Sequence, residues 1–209
     1  MSKALAAATR HLIAAEPKFG PVIDRAGPCR LVKKAAFDPF PALAQAIVSQ
    51  QLSGKAAATI YGRIPALFGG GEFPAPGRVL AEAPDFLRPA GVSGAKAVAI
   101  RDLAAKVLDG TVPGSDALHV LPDDAIVERL TAVRGIGRWT VEMLLIFDLG
   151  RLDVMPVDDL GVRNGFQRLF RRPGAKRPEI LRRAEKWRPY RSVASWYLWR
   201  VLDEAKAAT

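Results

Sequence analysis

Apolar residues along the chain recur mainly at the spacing of a helix rather than alternating as in a strand. After Asp38-Pro39, a cap followed by a proline, Leu43, Ala46 and Ile47 fall on one helix face. Glycine and proline clusters separate the periodic segments. The pattern predicts an all-α protein, with further helices over residues 56–68, 93–110, about 123 to 134, 139–149, 159–170, 178–187 and 192 to about 205.

Two of these helices carry specific expectations. The segment from Trp139 to Leu149 is mostly apolar, so we expect a buried helix that ends at Gly150. Asp159 stands directly before the 160–170 segment, where an aspartate side chain can accept hydrogen bonds from the first backbone N–H groups of the helix. We therefore expect Asp159 to serve as a helix cap, whatever else it does.

Composition sets the broad class. The chain has 209 residues, is 49% hydrophobic and has a mean hydropathy of +0.07, which is typical of a globular protein. Cys29 is the single cysteine, which excludes an intramolecular disulfide framework and a four-cysteine metal site. No apolar run approaches the ~20 residues of a membrane span, and no signal peptide is evident. These features predict a cytoplasmic protein.

Positive charge is concentrated near the C-terminus. The 31 basic and 21 acidic residues give a net charge of +10. Before Arg163 there are 18 basic and 17 acidic residues, whereas from Arg163 onward there are 13 and 4. Such asymmetry favours a polyanionic partner, nucleic acid above all, because each neutralised phosphate releases counterions. A well-solvated surface is the alternative, and an acidic membrane surface is a weaker one.

Residues 130–140 (LTAVRGIGRWT) contain the most informative motif. Gly135 and Gly137 flank Ile136 between two predicted helices, which allows a tight turn with backbone N–H groups at the start of the second helix. Such a turn can hold a phosphate. Alone, the motif is weak, because many ordinary helix connections share it.

This motif resembles the helix-hairpin-helix of the base-excision DNA glycosylases. It continues into residues 152–162 (LDVMPVDDLGV), and three further segments support the likeness: 46–53 (AIVSQQLS), 91–96 (GVSGAK) and 187–199 (WRPYRSVASWYLW). The likeness runs from about residue 36 to 202 and is strongest to the DNA-3-methyladenine glycosylase II branch. It implies two all-α lobes with a cleft between them, one from residues 36–149 and one from 1–35 plus 150–209, without the N-terminal β domain of longer relatives.

The resemblance implies a monofunctional enzyme that flips alkylated purines out of duplex DNA and hydrolyses the N-glycosidic bond. It places the catalytic carboxylate at Asp159 rather than Asp158, because the family's aspartate directly precedes Leu-Gly in its closest relatives. A fixed anion stabilises the oxocarbenium-like sugar of the transition state. An alkylated purine is already cationic and leaves readily, so a strong general acid is not required, and we interpret His11 and His119 as structural.

The same resemblance assigns the base pocket and the wedge that fills the gap left by a flipped base. Trp139 and Trp199 stack on the base, and Met143 stands where the best-known relative has a tyrosine. Gln51, with Gln50 beside it, occupies the wedge position, where the best-known relatives carry leucine. The alternatives are an ordinary packed core for Trp199 and, for Gln51, a helix-end glutamine bonded to a nearby carbonyl.

For the hairpin, the resemblance implies a DNA phosphate clamp and a cation site. Gly135 and Gly137 form the clamp, with Arg134 and Arg138 as electrostatic support; solvent exposure alone is the rival interpretation of the arginines. No cofactor is implied for the chemistry and nothing demands more than a monomer. A structural Na⁺ or K⁺ would be bound by the backbone carbonyls of Thr131, Val133 and Ile136.

Two other functions stay open. A non-catalytic hairpin protein would bind DNA without needing Asp159, and a bifunctional lyase would form a Schiff base through lysine. Lyase relatives carry that lysine where this chain has Trp139, and no lysine lies between Lys106 and Lys176. The sequence also leaves the lesion open among 3-methyladenine, 7-methylguanine, 1-methyladenine, ethenoadenine and hypoxanthine.

Overall fold

The computed structural model describes residues 3–34 and 37–207. Within that part the chain is helical and contains no β-strand, which confirms the predicted all-α class. None of the helices described is long and apolar enough to cross a membrane. The α-helices are α1 (Lys3–Ala15), α2 (Gly20–Ala26), α3 (Pro39–Ser49), α4 (Gly54–Leu67), α5 (Pro76–Ala81), α6 (Gly94–Leu108), α7 (Ser115–Val120), α8 (Asp123–Thr131), α9 (Arg138–Phe147), α10 (Leu160–Phe170), α11 (Arg177–Ala184) and α12 (Arg191–Ala207).

Side-chain caps fix where several helices begin. Asp38 accepts a hydrogen bond from the N–H of Phe40 at 2.9 Å at the start of α3. Asp159 accepts one from the N–H of Val162 at 2.7 Å at the start of α10. The single helix predicted over residues 178–187 is instead α11 followed by a 3₁₀ turn, Glu185–Trp187. Trp187, the last residue of this turn, is fully buried. Helices α1, α2, α5 and α7 are not among the helices predicted from the sequence.

The chain divides into two compact units, each with its own core. The first unit comprises residues 1–34 and 142–209, and the second comprises residues 35–141. The boundary along the chain falls inside α9. Each unit buries apolar side chains from several of its own helices. Each therefore has a hydrophobic core of its own.

In the first unit α10 and α12 pack together around aromatic side chains. Phe166 and Trp187 have no exposed surface, and the rings of Phe170 and Trp187 stack with their centres 6.0 Å apart. Burial of each such ring contributes about 1.5–3 kcal/mol. The close approach of the two helices depends on Gly165, since a Cβ there would lie 2.2 Å from the carbonyl oxygen of Leu198.

In the second unit α6 packs against α3 and α5. Leu43, Ile47 and Ile100 are essentially inaccessible to solvent and form the centre of this core. Arg101, also on α6, donates from Nη1 to the carbonyl oxygens of Val79 at 2.9 Å and Glu82 at 2.7 Å. Its guanidinium thereby satisfies carbonyl groups at the end of α5, where the helix leaves them without intrahelical partners.

The expectation of a buried helix over residues 139–149 is wrong for part of α9. The helix ends at Phe147 rather than residue 149, and it has both buried and exposed aromatic or aliphatic positions. Leu145 and Ile146 are buried, whereas Trp139 is 48% and Phe147 42% exposed. Residue type alone could not distinguish the buried positions from the exposed ones, because both are apolar.

Substitution of Gly165 by alanine tests the packing of α10 on α12. The added methyl group would collide with backbone atoms of Leu198, which cannot move without displacing α12. We expect the free energy of unfolding to fall by about 3 kcal/mol or more, measured by denaturant unfolding of the purified protein. Gly20→Ala in the same unit is the matched control, since nothing lies within 4 Å of a Cβ there and its φ of −49° is helical. Equal stability of the two variants would contradict this account.

Candidate active site and nucleic-acid interface

In the first unit, one oxygen of the Asp159 carboxylate accepts two hydrogen bonds. Oδ1 lies 2.7 Å from the backbone nitrogen of Val162, which caps α10, and 2.8 Å from the indole Nε1 of Trp199 on α12. Both N–H groups stabilise a negatively charged carboxylate, and so does the positive end of the α10 dipole. The predicted cap is therefore present, and the carboxylate is fixed by a residue 40 positions away.

Gly161 makes this arrangement sterically permissible. A Cβ at residue 161 would lie 2.7 Å from Cδ1 of Trp199 and 3.0 Å from Oδ1 of Asp159. Its backbone needs no unusual conformation, so the absence of a side chain serves the approach of the indole rather than a turn. The Asp-Leu-Gly pattern thus has a physical reason: the aspartate caps the helix, and the glycine leaves room for the ring that binds it.

The loop that leads to Asp159 is attached along α12. Asp153 accepts from Arg191 through Oδ1 at 2.8 Å and Oδ2 at 3.1 Å, which makes a two-point contact. The hydroxyl of Ser192 accepts from the N–H of Val154 at 2.9 Å and donates to the carbonyl of Arg151 at 2.7 Å. Because this loop has no helix or strand of its own, these side chains determine its path.

Trp199 packs against Phe147, an aromatic residue that the sequence reasoning missed. The two ring centres are 5.5 Å apart with an interplanar angle of 26°. Met143, half-buried, precedes Phe147 by four residues in α9, and Trp139 precedes Met143 by four. Continuing that spacing by one step would have found Phe147. The structure thus brings Trp199 to both Asp159 and Phe147, while the role predicted for Met143 stays a prediction.

Asp158 has a different environment from Asp159. Its carboxylate lies 3.3 Å from Nη1 of Arg177, and about half of each side chain is exposed. An exposed pair of this kind adds little stability. The structure therefore distinguishes two adjacent aspartates by their partners: one is fixed to α12 by an indole, and the other belongs to a surface ion pair.

In the second unit, residues 132–137 form the hairpin that joins α8 to α9. Val133 and Ile136 are buried and anchor the turn, whereas Arg134 and Arg138 are exposed. Gly135 has φ +79°, a left-handed conformation that favours glycine, but Gly137 has no such requirement. The space around Gly137 is open, so its backbone at the start of α9 is accessible to a ligand.

An aspartate on α6 holds this hairpin in place. Oδ2 of Asp102 accepts from the N–H of Arg134 at 2.7 Å, and Oδ1 accepts from Nζ of Lys106 at 2.5 Å. Burial acts to raise the pKa of Asp102, but these hydrogen bonds and the two cationic side chains outweigh it and lower the pKa. The hairpin conformation is therefore linked to an ionised carboxylate.

The two adjacent glutamines after α3 are placed differently. The side-chain amide of Gln50 donates to the carbonyl oxygen of Gly135 at 2.7 Å. Gln51 is exposed and has φ +59°, a left-handed conformation uncommon for a residue other than glycine. The alternative role considered for Gln51, a glutamine bonded to a nearby carbonyl, thus belongs to Gln50. Among the described residues, no group of three or more His, Cys, Asp or Glu side chains could hold a metal ion.

The chain thus combines a helical hairpin with an aspartate that caps α10 and binds an indole, as expected for a helix-hairpin-helix DNA repair protein. The family model described as "HhH-GPD superfamily base excision DNA repair protein" matches residues 44–189. The chain belongs to this family, as the sequence predicted.

Within the family, the chain is similar to 3-methyladenine DNA glycosylases. It is 39% identical over 165 residues to "DNA-3-methyladenine glycosylase 1" of Schizosaccharomyces pombe. The aligned residues cover 78% of this chain and 72% of the yeast protein. A solved 3-methyladenine DNA glycosylase of fission yeast in complex with abasic DNA has a TM-score of 0.78 at 36% identity, covering 92% and 95% of the two chains. A DNA-3-methyladenine glycosidase from Bacillus halodurans has a TM-score of 0.85 at 35% identity, covering 95% and 91%.

The lowered pKa of Asp102 leads to a pH-dependent prediction. Its contribution to stability is fully present above the pKa of an unfolded aspartate and is lost as the pH falls through the lower folded value. We therefore expect Asp102→Asn to destabilise the protein at pH 7 and to have a smaller effect at pH 3, measured by urea unfolding. The exposed Asp85→Asn is the control. A destabilisation that is independent of pH would contradict the role of the ionised form.

Proposed function

We propose that the protein is a monofunctional DNA glycosylase that removes alkylated purines from duplex DNA. The observation that carries the proposal is the Asp159 carboxylate, whose Oδ1 is held by the N–H groups of Val162 and Trp199, in a chain of the base excision repair family. A carboxylate fixed in this way needs no reorganisation when positive charge develops beside it. The reaction would take place on chromosomal DNA, at the nucleoid in the cytoplasm.

Hydrolysis of the N-glycosidic bond requires a departing base and an incoming water. As the bond from C1′ to the base nitrogen breaks, its electron pair leaves with the base and the sugar becomes oxocarbenium-like. The anionic Asp159 stabilises that sugar and orients the water, whose oxygen bonds to C1′ while its proton passes to Asp159 and from there to solvent. A cationic alkylated purine leaves as a neutral base, so the products are the free base and an abasic site.

An aromatic environment for the base is the second part of the proposal. Trp199 carries the indole that binds Asp159 and packs on the half-exposed Phe147. Electron-rich ring faces favour an electron-poor, positively charged purine. We propose Trp199, with Met143 and Trp139 as the resemblance suggests, as residues that contact the extruded base; Phe147 acts by supporting Trp199.

The hairpin would contact the DNA backbone of a single duplex bound by a monomer. The proposed clamp consists of Gly135, Gly137 and the following amides, with Arg134 and Arg138 exposed beside them. A monovalent cation, Na⁺ or K⁺, suits backbone carbonyls at this turn. The Val133 oxygen accepts one hydrogen bond, from the N–H of Ile136 at 3.0 Å, and a carbonyl oxygen has a second lone pair for a cation. Thr131 and Ile136 would supply the other carbonyls.

Substitution of Asp159 by asparagine tests the catalytic role. The amide oxygen can still accept from Val162 and Trp199, so the cap is retained while the negative charge is lost. We expect the rate of base release from duplexes that carry 3-methyladenine, 7-methylguanine or another of the open lesions to fall by at least about a hundredfold. Binding to a duplex with an abasic analogue should be unchanged within about threefold.

Asp158→Asn is the matched control, because it removes the same charge one residue earlier from a surface ion pair. It should leave base release nearly unchanged, and the reverse ranking would show that the two roles were exchanged. Binding without base release by the wild type, on every lesion tested, would identify a non-catalytic DNA-binding protein. Covalent trapping on DNA by borohydride would identify a lyase; we expect none, since Trp139 occupies the position of the lyase lysine.

The indole hydrogen bond can be tested apart from the ring. Trp199→Phe keeps an aromatic ring but removes the N–H that binds Asp159, and Gly161→Ala forces the indole away from the carboxylate. Loss of one hydrogen bond to a charged group corresponds to about a tenfold effect or more. We expect both variants to release base more slowly at saturating DNA, with unchanged affinity for the abasic-analogue duplex. Full activity of Trp199→Phe would show that the indole N–H has no part in catalysis.

A further inference from the structure

The loop of residues 49–53, here called the Gln51 loop, has a backbone conformation that needs support. Gln51 adopts φ +59° although a side chain makes this region unfavourable by roughly 1–2 kcal/mol. The loop contains no glycine, and all its residues except Gln50 are exposed to solvent. Local packing therefore does not explain why Gln51 is held in this conformation at the surface.

Lys96 makes two hydrogen bonds to the backbone where α3 ends and the Gln51 loop begins. Its Nζ donates to the carbonyl oxygen of Val48 at 2.8 Å and to that of Gln50 at 2.7 Å. These carbonyls stand at the C-terminal end of α3, where the helix dipole is negative and a cation is stabilised. The ammonium thus binds the backbone immediately before Gln51, from a position on the first turn of α6.

The same helix also holds the hairpin. Asp102 of α6 accepts from the N–H of Arg134, and the side chain of Gln50 donates to the carbonyl of Gly135. Lys96 and Asp102 therefore attach two separate loops to α6, and Gln50 joins one loop to the other. All of these contacts lie within the second unit, so its own rigidity sets the position of Gln51 relative to the hairpin.

We propose that Lys96 is a positioning residue for base flipping. It holds Gln51 in its left-handed conformation, ready to enter the gap that an extruded base leaves in the duplex. This inference rests on the proposed function, in which a flipped nucleotide must be replaced in the stack. Lys96 acts through the protein backbone rather than on DNA, because its ammonium is bound to the carbonyls of Val48 and Gln50.

Binding to two duplexes of the same sequence tests this role. One duplex contains a stable abasic analogue, which offers the gap, and the other is undamaged. We expect Lys96→Met to lower the preference for the abasic duplex about tenfold. Affinity for the undamaged duplex and the dependence of that affinity on salt should stay unchanged. Lys96→Arg should restore most of the preference, because its guanidinium can also donate to two carbonyls.

A double-mutant cycle separates positioning from a general loss of stability. If Lys96 acts through Gln51, Gln51→Ala should reduce the preference by a similar factor, and Lys96→Met should have little further effect in the Gln51→Ala background. Additive losses would overturn the inference. If Lys96 instead contacted a DNA phosphate directly, Lys96→Met would weaken binding to both duplexes equally. It would also reduce the slope of log K against log[salt] by about 0.9, and this result would likewise overturn the inference.

Base release by the same set of proteins distinguishes a failure of the proposed function from a failure of the role of Lys96. If the wild type releases no alkylated base, the proposed function fails, whatever the binding data show. If the wild type is active and Lys96→Met keeps both full activity and full preference for the abasic duplex, only the role of Lys96 fails. Denaturant unfolding of Lys96→Met, measured in parallel, gives the fraction of the variant that is folded. Each measured affinity is then expressed per folded protein.

Discussion

The hydrogen bonds at Oδ1 of Asp159 are the interaction on which the first unit's site depends. The same oxygen begins α10 through Val162 and receives the indole N–H of Trp199 from α12. A helix cap is a local feature that any short polar side chain could supply. The indole contact is not local, and it requires α10 and α12 to approach closely, which the glycines at 161 and 165 permit. One carboxylate therefore caps α10 and joins it to α12, and the proposed function assigns the chemistry to the same carboxylate.

Helix α12 also determines the route by which the chain reaches that carboxylate. Arg191, Ser195 and Trp199 are spaced by four residues, and they contact residues 153, 155 and 159 in the same order. The preceding loop therefore runs alongside α12 and is held by one helix face. The Arg191 side chain is only 13% exposed, so its charged hydrogen bonds to Asp153 are less screened than surface pairs.

The second unit solves a similar problem with α6 as the support. Its residues Lys96 and Asp102 bind backbone groups of the Gln51 loop and of the hairpin, respectively. Lys96 binds carbonyl groups at the end of α3, where the helix leaves acceptors without partners, and Asp102 accepts from a backbone N–H within the hairpin. Apolar burial fixes α6, and polar contacts then fix the exposed loops. This division explains how strongly solvated loops keep defined conformations.

The sequence by itself determined the all-α class, the caps at Asp38 and Asp159 and the hairpin motif, and through its resemblance the family. These follow from local patterns: helical periodicity, the position of a short polar residue before a helix, and two glycines around Ile136. Only the tertiary structure decided that Trp199 binds Asp159 and that Lys96 binds the residues before Gln51. These partners are 40 or more residues apart. Sequence spacing constrains neighbours on one helix, whereas contacts of this length depend on how whole helices pack.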